Sequence, residues 1–316
     1  MVQKLPLARG GIDAASQDRA NVDLAALAAA APVIAVDMRR RVLLRQEDKP
    51  ALAALTPSEI RREFSSLTQA IAQGRIFFLG KVEGKPVLGC HVSDLDSFRG
   101  RRISSIRQVG ALLSPADSSL ASAAIALAVW HSGAAYCPVC GANTVAQAGG
   151  WERKCSGCGK ISYPRTDPSI ICSVIDEQDR LLIAHNIAWQ EGRISVLAGY
   201  VEAGEAAEET VHREIAEEVG LSVCNVQYLY SQAWPYPRSL MLAFTATTAA
   251  TDADIVCQED EIGWAKFVTR EEFISLAKKQ QIIVPSDTTI AASMIERWLG
   301  QPLPRPEGEG ASLICQ

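Results

Sequence analysis

Three glutamates, Glu214, Glu217 and Glu218, stand at i, i+3 and i+4 in the stretch from Gly199 to Leu221, GYVEAGEAAEETVHREIAEEVGL. On a helix that spacing brings the carboxylates onto one face. Like charges so close repel unless something cationic sits among them. An all-oxygen cluster suits Mg²⁺ or Mn²⁺, ions that commonly bridge a few carboxylates to substrate phosphates. The same stretch supplies the helix. From about Ala206 to Val219, the apolar residues Val211, Ile215 and Val219 recur every four and predict a buried stripe on a different face. Gly220 stops the helix, and Gly199 with Gly204 lets the preceding loop fold tightly. A lone acidic triplet is more often a solvated helix face. Here the spacing from Gly199 through Glu205 to Arg213 and onward is fixed over the whole stretch, which favours a metal-dependent diphosphate site. Arg213 is placed to orient one of the glutamates by a bidentate pair, with Glu205 or Glu217 as its partner.

A second metal signature precedes this one: Cys137-Pro-Val-Cys140, fourteen residues, then Cys155-Ser-Gly-Cys158. Each pair can form a knuckle holding half of a tetrahedral Zn²⁺ site, with the intervening span folded as a short hairpin. Gly141 and Gly159, directly after each second cysteine, favour the turns. The gap is one residue under the usual range for this pattern. Redox-active pairs are the competing reading, and two pairs in tandem speak against it. Four thiolates leave the ion no open position, so its role is folding rather than catalysis. Cys90, Cys172, Cys224, Cys257 and Cys315 lack such spacing and are expected to be buried or incidental. None of His91, His131, His185 and His212 has a partner at ligand spacing, so they read as surface or core residues.

The third signal is Ser231-Gln-Ala-Trp-Pro-Tyr-Pro-Arg-Ser-Leu-Met241. Two prolines and two aromatics between strands predict a stiff loop presenting flat surfaces, suited to stacking on a base beside a phosphate site. Aromatic core packing is the alternative, and the Pro-X-Pro rigidity argues against it.

These groups need a scaffold. At 316 residues, 48% hydrophobic and 21% charged, the chain is an ordinary globular one with room for two domains or more, and its net charge of -5 gives no support to a broad nucleic-acid-binding surface. Nine cysteines, four of them in metal-type pairs, favour a reducing compartment. The apolar run 24–36 is too short to span a bilayer and starts too late for a leader. It reads as a helix passing through Pro32 into a strand over 33–37. Cytoplasmic location and no membrane association are the expectation. Residues 1–132 read as an α+β domain: strands over 41–45 and a hairpin over 76–92, helices over 58–73 and 116–131, the latter buried. Arg99, Arg101 and Arg102 read as a solvated loop. The zinc ribbon is assigned to 133–164 and the catalytic domain to 165–301. Within the latter, strands fall over 169–176, 180–184, 225–232, 239–248 and 261–268, the segment 194–197 leads into the acidic stretch, and helices cover 270–278 and 288–299. A mixed sheet flanked by helices follows. The tail 302–316 is expected to be disordered.

A zinc ribbon directly before such an acidic stretch, which has every fixed position of a Nudix box, and then SQxWPxPxS shortly after it, resembles the NADH pyrophosphatases of the NudC type. The resemblance covers about Arg107 to Leu299; the N-terminal third matches only in kind. It implies an α+β chain whose catalytic part is a Nudix α/β/α sandwich with a mixed sheet. It also implies hydrolysis of the pyrophosphate of NAD(H) to nicotinamide mononucleotide and AMP, and leaves room for related dinucleotides and for RNA with a 5′ NAD cap. By the same match, Ser231, Gln232, Trp234, Pro235, Tyr236 and Ser239 belong to the substrate-binding segment. Gln232 and Trp234 line the nicotinamide-nucleotide pocket, which is completed across a homodimer interface. Tyr200 takes the place of an aromatic that stacks on nicotinamide, and Tyr163, Arg107 and Ala291 match further substrate contacts. Glu261 matches a metal-binding acid beyond the box, and the Ala198 carbonyl a further ligand to Mg²⁺ or Mn²⁺. Ala233 departs from the family's proline, Arg238 from its glutamine and Tyr236 from its phenylalanine. None of these touches the metal cluster, so they bear on substrate preference.

The chemistry expected is metal-assisted hydrolysis, with Glu214, Glu217, Glu218 and Glu261 as ligands, and Glu217 or Glu261 accepting the proton of the attacking water. Two rival readings stay open. One is a Nudix hydrolase of ADP-ribose or a nucleoside triphosphate. The other is a non-catalytic zinc-ribbon adaptor, against which the intact glutamate set argues.

Overall fold

Asp23 accepts hydrogen bonds from the amides of Ala25 and Ala26 and so starts helix α1 (Leu24–Ala30), which stops just short of Pro32. Strand β1 (Val33–Val36) follows and is buried along its whole length. The computed structural model describes residues 5–7 and 10–305. Contacts divide the chain into two units: Pro6–Thr166 together with Trp234–Arg238 form the first, and Asp167–Ala233 with the described chain from Ser239 onward and Leu5 form the second.

In the first unit, β2 (Arg41–Leu44), helices α2 (Pro57–Glu63) and α3 (Leu67–Ala72), β3 (Ile76–Val82), β4 (Lys85–His91), β5 (Arg102–Ser105), α4 (Ile106–Val109) and α5 (Pro115–Gly133) follow β1. The five-stranded sheet has the order β3-β4-β1-β2-β5. β1 runs parallel to β4 and antiparallel to β2. Two expectations change here. The single helix over 58–73 is two helices, because Phe64 leaves helical geometry to bury its ring and Ser66 caps a fresh start by accepting the Gln69 amide. The basic run is not a solvated loop. Arg101 lies 3.0 Å from both carboxylate oxygens of Glu59, and Arg102 opens β5; Arg99 alone of the three is exposed. The ribbon is an antiparallel sheet of β6 (Thr144–Gln147), β7 (Glu152–Cys155) and β8 (Ile161–Ser162).

The second unit contains β9 (Asp167–Asp176), β10 (Leu181–Asn186), β11 (Leu197–Tyr200), α6 (Ala207–Val219), β12 (Cys224–Trp234) apart from its last residue, β13 (Ser239–Thr248), β14 (Ile262–Val268), α7 (Arg270–Lys278) and α8 (Ile290–Leu299). The sheet runs β12-β13-β9-β10-β14, with β11 also on β9. β13 is parallel to β9, and β10 and β11 are antiparallel to it, so the sheet is mixed. Neighbours along β9 point to opposite sides. Ile170 and Cys172 join the core under α6, whereas Ile171 joins the core under α7 and α8. Both faces are therefore covered, which makes this unit an α/β/α sandwich. Of the tail, Leu303 is buried and its amide donates to Glu296 at 3.1 Å, while 306–316 lie outside the described residues. Among the described residues no helix is long and apolar enough to cross a membrane.

Candidate active site

Helix α6 is held by the stripe read from its sequence: Val211, Ile215 and Val219 are fully buried in the core shared with Ile170 and Phe244 of the sheet. Gly220 adopts φ +71° and its amide donates to the Ala216 carbonyl, closing the helix. Gly204, at φ +90°, serves the turn as expected. Gly199 does something else. It lies in the regular strand β11, and a Cβ there would sit 1.8 Å from Cδ of Glu214, so glycine is required for the strand to pass against that carboxyl group.

Arg213 is the hub. Its Nε and Nη2 donate to the two oxygens of Glu205 at 2.8 and 2.9 Å, Nη1 donates to Glu214 Oε1 and Glu217 Oε2 at 2.9 Å each, and Nη2 also reaches the Tyr200 carbonyl at 2.9 Å. Of the two partners considered for the bidentate pair, Glu205 has it and Glu217 has a single bond. The guanidinium holds the Glu205 carboxyl down at about 2, with help from the Thr210 hydroxyl and the Glu202 amide. One arginine thus sets the positions of three carboxylates from both sides of the turn.

Glu218 is the opposite case. It is only 4% exposed, and its Oε2 has no hydrogen-bond partner. Burial, then the charges of Glu261, Glu214 and Glu217, push its carboxyl up to about 8. Burial likewise raises Glu214 despite the pair with Arg213. Glu261 is brought to this end of the helix by the backbone: the Gln258 amide donates to the Glu218 carbonyl at 2.9 Å and the Glu261 amide to the Gln258 carbonyl at 3.0 Å. Ala198 lies in β11 opposite Ile171. A buried carboxylate oxygen without a donor, amid three more carboxylates, is stabilised by a proton or a cation, and hard oxygen donors fit Mg²⁺ or Mn²⁺. Asn186, whose Nδ2 is 3.4 Å from Glu261 Oε1, and Thr210, which donates to Glu205 at 2.7 Å, had no signal in the sequence beyond lying near the acids in space.

The ribbon cysteines are drawn tighter. Among the described residues, Cys137, Cys140, Cys155 and Cys158 are the set whose ligand atoms all fall within 4.8 Å of one another. Sγ–Sγ separations are 3.7 Å for Cys137–Cys158 and 3.3 Å for Cys140–Cys155. A tetrahedron with zinc–sulfur bonds of about 2.3 Å has edges of about 3.8 Å, so four thiolates here fit Zn²⁺. Gly141 and Gly159 take φ +73° and +72° and turn each knuckle. The amides of Cys158 and Gly157 donate to Cys155 and, with the neighbouring thiols, lower it to about 6, which favours the thiolate a metal requires. Of the other cysteines, Cys90 and Cys172 are buried, Cys257 is half-buried and Cys224 is exposed; Cys315 lies outside the described residues.

The aromatic loop is packed on its inner side. Trp234 and Tyr236 pack on each other at 4.8 Å between ring centroids and against the apolar core of the first unit. The Arg107 guanidinium lies 5.4 Å from the Trp234 ring and 4.7 Å from that of Tyr236, whose hydroxyl accepts the Arg107 amide at 3.1 Å. Both rings are half-buried, with part of their surface taken up by packing and by cation–π contact with Arg107. Pro235 is buried. In the second unit, Gln232 is fully buried and donates to the Thr288 carbonyl at 3.0 Å, Ser231 is half-buried, and Ala291 is enclosed within α8. Tyr200 is exposed, and its hydroxyl is 3.1 Å from that of buried Ser239. Tyr163, in the first unit, is exposed. Tyr200, Ser239, Gln232 and the acidic helix thus belong to one unit, and Arg107, Tyr163, Trp234 and Tyr236 to the other.

Residues 165–287 match the NUDIX domain family, and residues 134–163 match the NADH pyrophosphatase zinc ribbon domain. A curated relative, NAD-capped RNA hydrolase NudC of Mycobacterium tuberculosis (strain ATCC 25618 / H37Rv), is 36% identical over 307 residues, covering 92% of this chain and 94% of its own. The protein of that name in Stutzerimonas stutzeri (strain A1501) is 36% identical over 229 residues, 72% of this chain and 79% of its own. NAD-capped RNA hydrolase NUDT12 of Macaca fascicularis is 34% identical over 195 residues, 58% of this chain and 42% of its own. A solved NUDIX hydrolase from Nitrosomonas europaea aligns with TM-score 0.41 at 20% identity, over 53% of this chain and 94% of that one.

Proposed function

Because this chain belongs to the NudC-type NAD-capped RNA hydrolases of the Nudix superfamily, we propose that it cleaves the pyrophosphate bond of NAD(H), giving nicotinamide mononucleotide and AMP, and removes the NAD cap from RNA 5′ ends. The observation that carries the reading is buried Glu218, with an unpartnered oxygen and three carboxylates whose charges it feels, on a helix that Arg213 ties to the preceding turn.

Mg²⁺ or Mn²⁺ held by Glu214, Glu217, Glu218 and Glu261 and the Ala198 carbonyl would supply charge neutralisation of the diphosphate oxygens and acidify a water. Arg213 keeps Glu214 and Glu217 aligned, and Glu205 in turn keeps Arg213. Water adds to one phosphorus, the bridging P–O bond breaks, and each product carries a phosphomonoester. Glu217, more than half exposed, or Glu261 takes the proton released by that water. Zn²⁺ on the four cysteines braces the ribbon and takes no part in the reaction.

The finer assignments rest on the family match: Tyr200, Ser231, Gln232, Trp234, Pro235, Tyr236 and Ser239 for the nicotinamide nucleotide, Arg107, Tyr163 and Ala291 for further substrate contacts, and a homodimer that completes the pocket. The division into an N-terminal domain, ribbon, catalytic domain and tail rests on the sequence pattern, supported for the ribbon and the catalytic domain by the family matches over 134–163 and 165–287. A cytoplasmic setting agrees with four thiolates kept for zinc. Parallel assays with NADH and ADP-ribose, in Mg²⁺ and in Mn²⁺, test the reading. Higher kcat/KM for NADH, lost in Glu217→Gln and Glu218→Gln, supports it; preference for ADP-ribose, or activity indifferent to both variants, overturns it.

A further inference from the structure

Helix α3, the end of β4 and the ribbon strands β6 and β7 line an open cleft of about 550 Å³ in the first unit. Among the described residues its lining contains no aspartate or glutamate, although the chain carries 36 of them and a net charge of -5. Instead Arg75, Arg153, His91, His131, Ser93 and Gln69 face it.

Arg153 is the deepest of these, 3% exposed. It donates to Thr144 Oγ1 at 2.7 Å, to the Thr144 carbonyl at 3.0 Å, to the Gln73 carbonyl at 2.8 Å and to His131 Nδ1 at 2.9 Å. All four acceptors are neutral. His131 Nε2 is 2.8 Å from the Gly150 carbonyl, so Nε2 carries the hydrogen and Nδ1 is the acceptor, which leaves the imidazole uncharged. Among the described residues no carboxylate lies within ion-pair distance of Arg153. Neutral acceptors satisfy its N–H groups and leave its charge buried and uncompensated.

At the rim, Arg75 is paired with Glu63 at 2.7 Å and donates to the His91 carbonyl at 3.2 Å. The Nε2 atom of His91 is buried without a partner. Two guanidiniums against one carboxylate, with the hydroxyl of Ser93 and the amide of Gln69 on the wall, bias a largely apolar cleft toward positive charge. Its volume is within the range of small-molecule sites.

We infer that this cleft binds the phosphate group of a small phosphorylated molecule, with Arg75 as the direct donor, His91 beside it and Arg153 supplying the field from below. A dianionic phosphate gains more from the buried charge of Arg153 and from Arg75 than a monoanionic carboxylate does. Because ribbon and N-terminal elements both line the cleft, its occupant would brace one on the other. The site is independent of the diphosphate reading, since none of its residues belongs to the acidic helix or the aromatic loop.

The four histidines provide the test. His91 and His131 line the cleft; His185 and His212 lie in the second unit. Imidazole signals of the zinc-loaded full chain, without added divalent ion, are followed by NMR during titration with inorganic phosphate and then with AMP. The inference expects saturable shifts of His91 and His131 with phosphate in the millimolar range, and phosphate leaving His185 and His212 unmoved. Gln69→Glu places a carboxylate on the wall at an exposed helix position and should weaken phosphate binding about tenfold. Ser93→Asp, also exposed, should do the same, and unchanged zinc content shows that each variant has kept its ribbon. Absence of saturable His91 and His131 shifts with both probes, shifts confined to His185 and His212, or wild-type affinity in both acidic variants overturns the site.

Discussion

Replacing Gly199 by alanine adds one methyl group where the structure leaves no room. The new Cβ would be 1.8 Å from Glu214 Cδ and 2.1 and 2.3 Å from its oxygens, against ordinary contacts of 3.4–4 Å. A displacement of roughly 1.5 Å therefore has to be absorbed. The obstructing group is the end of a flexible side chain, so the carboxylate can swing aside rather than force the strand off β9. The stability cost should stay at or under about 1 kcal/mol, the low end of overpacking penalties. Catalysis should suffer more, because a 1 Å misplacement of an active-site group costs about 10²-fold. The expected result is a Tm within about 4 °C of wild type and kcat for NADH with Mn²⁺ lower by about two orders of magnitude. A double-mutant cycle identifies the route: Gly199→Ala should add little to the loss already caused by Glu214→Ala. Gly199→Ala with activity within about threefold of wild type, or a full further loss in the Glu214→Ala background, would refute the claim that this glycine exists to seat Glu214.

Other perturbations have equally definite outcomes. Glu205 is depressed to about 2 by Arg213, so its contribution is complete above the ordinary carboxylate range and is lost as pH falls from about 4.5 toward 2; Arg213→Lys should shift acid unfolding of the protein, followed by circular dichroism, to higher pH, and lower kcat about 10²-fold. Glu218 is raised to about 8, so in the absence of divalent ion its ionisation destabilises the fold increasingly as pH rises from about 4.5 through 8; Glu218→Gln should exceed wild type in Tm above pH 8, match it below pH 4.5, and lose most of the Tm gain that wild type shows on adding Mn²⁺. Cys140→Ser should abolish stoichiometric zinc measured by mass spectrometry and open the ribbon, since binding and folding of such sites are coupled. Gln232→Ala removes a fully buried amide and its hydrogen bond to the Thr288 carbonyl and should cost about 1–3 kcal/mol in urea denaturation.

What was legible in the sequence depended on how local its cause was. The stripe Val211, Ile215, Val219 and the terminator Gly220 are properties of one helix, and they fold as read. The ribbon is similar, because the spacing within each cysteine pair and the following glycine dictate the knuckle. Causes separated along the chain were not legible. Arg101 leaves solvent because Glu59, 42 positions earlier, is there to receive it. The helix over 58–73 breaks because Phe64 finds a core that no window around it reveals. Gly199 could be recognised as a glycine that mattered, yet its reason, the carboxyl of a residue on the next element, is purely spatial. The aromatic loop shows the same limit. Its composition signalled flat surfaces, and only the fold reveals that Arg107 and the two rings pack on one another.

The most direct test of the account is hydrolysis of NADH by the zinc-loaded protein across a range of Mn²⁺ and Mg²⁺ concentrations, with products separated by chromatography. The account predicts equimolar reduced nicotinamide mononucleotide and AMP, and a drop of about 10³-fold or more in kcat for Glu218→Gln with its fold intact. NADH left whole at every concentration of either ion, or cleaved equally well by Glu218→Gln, would contradict it.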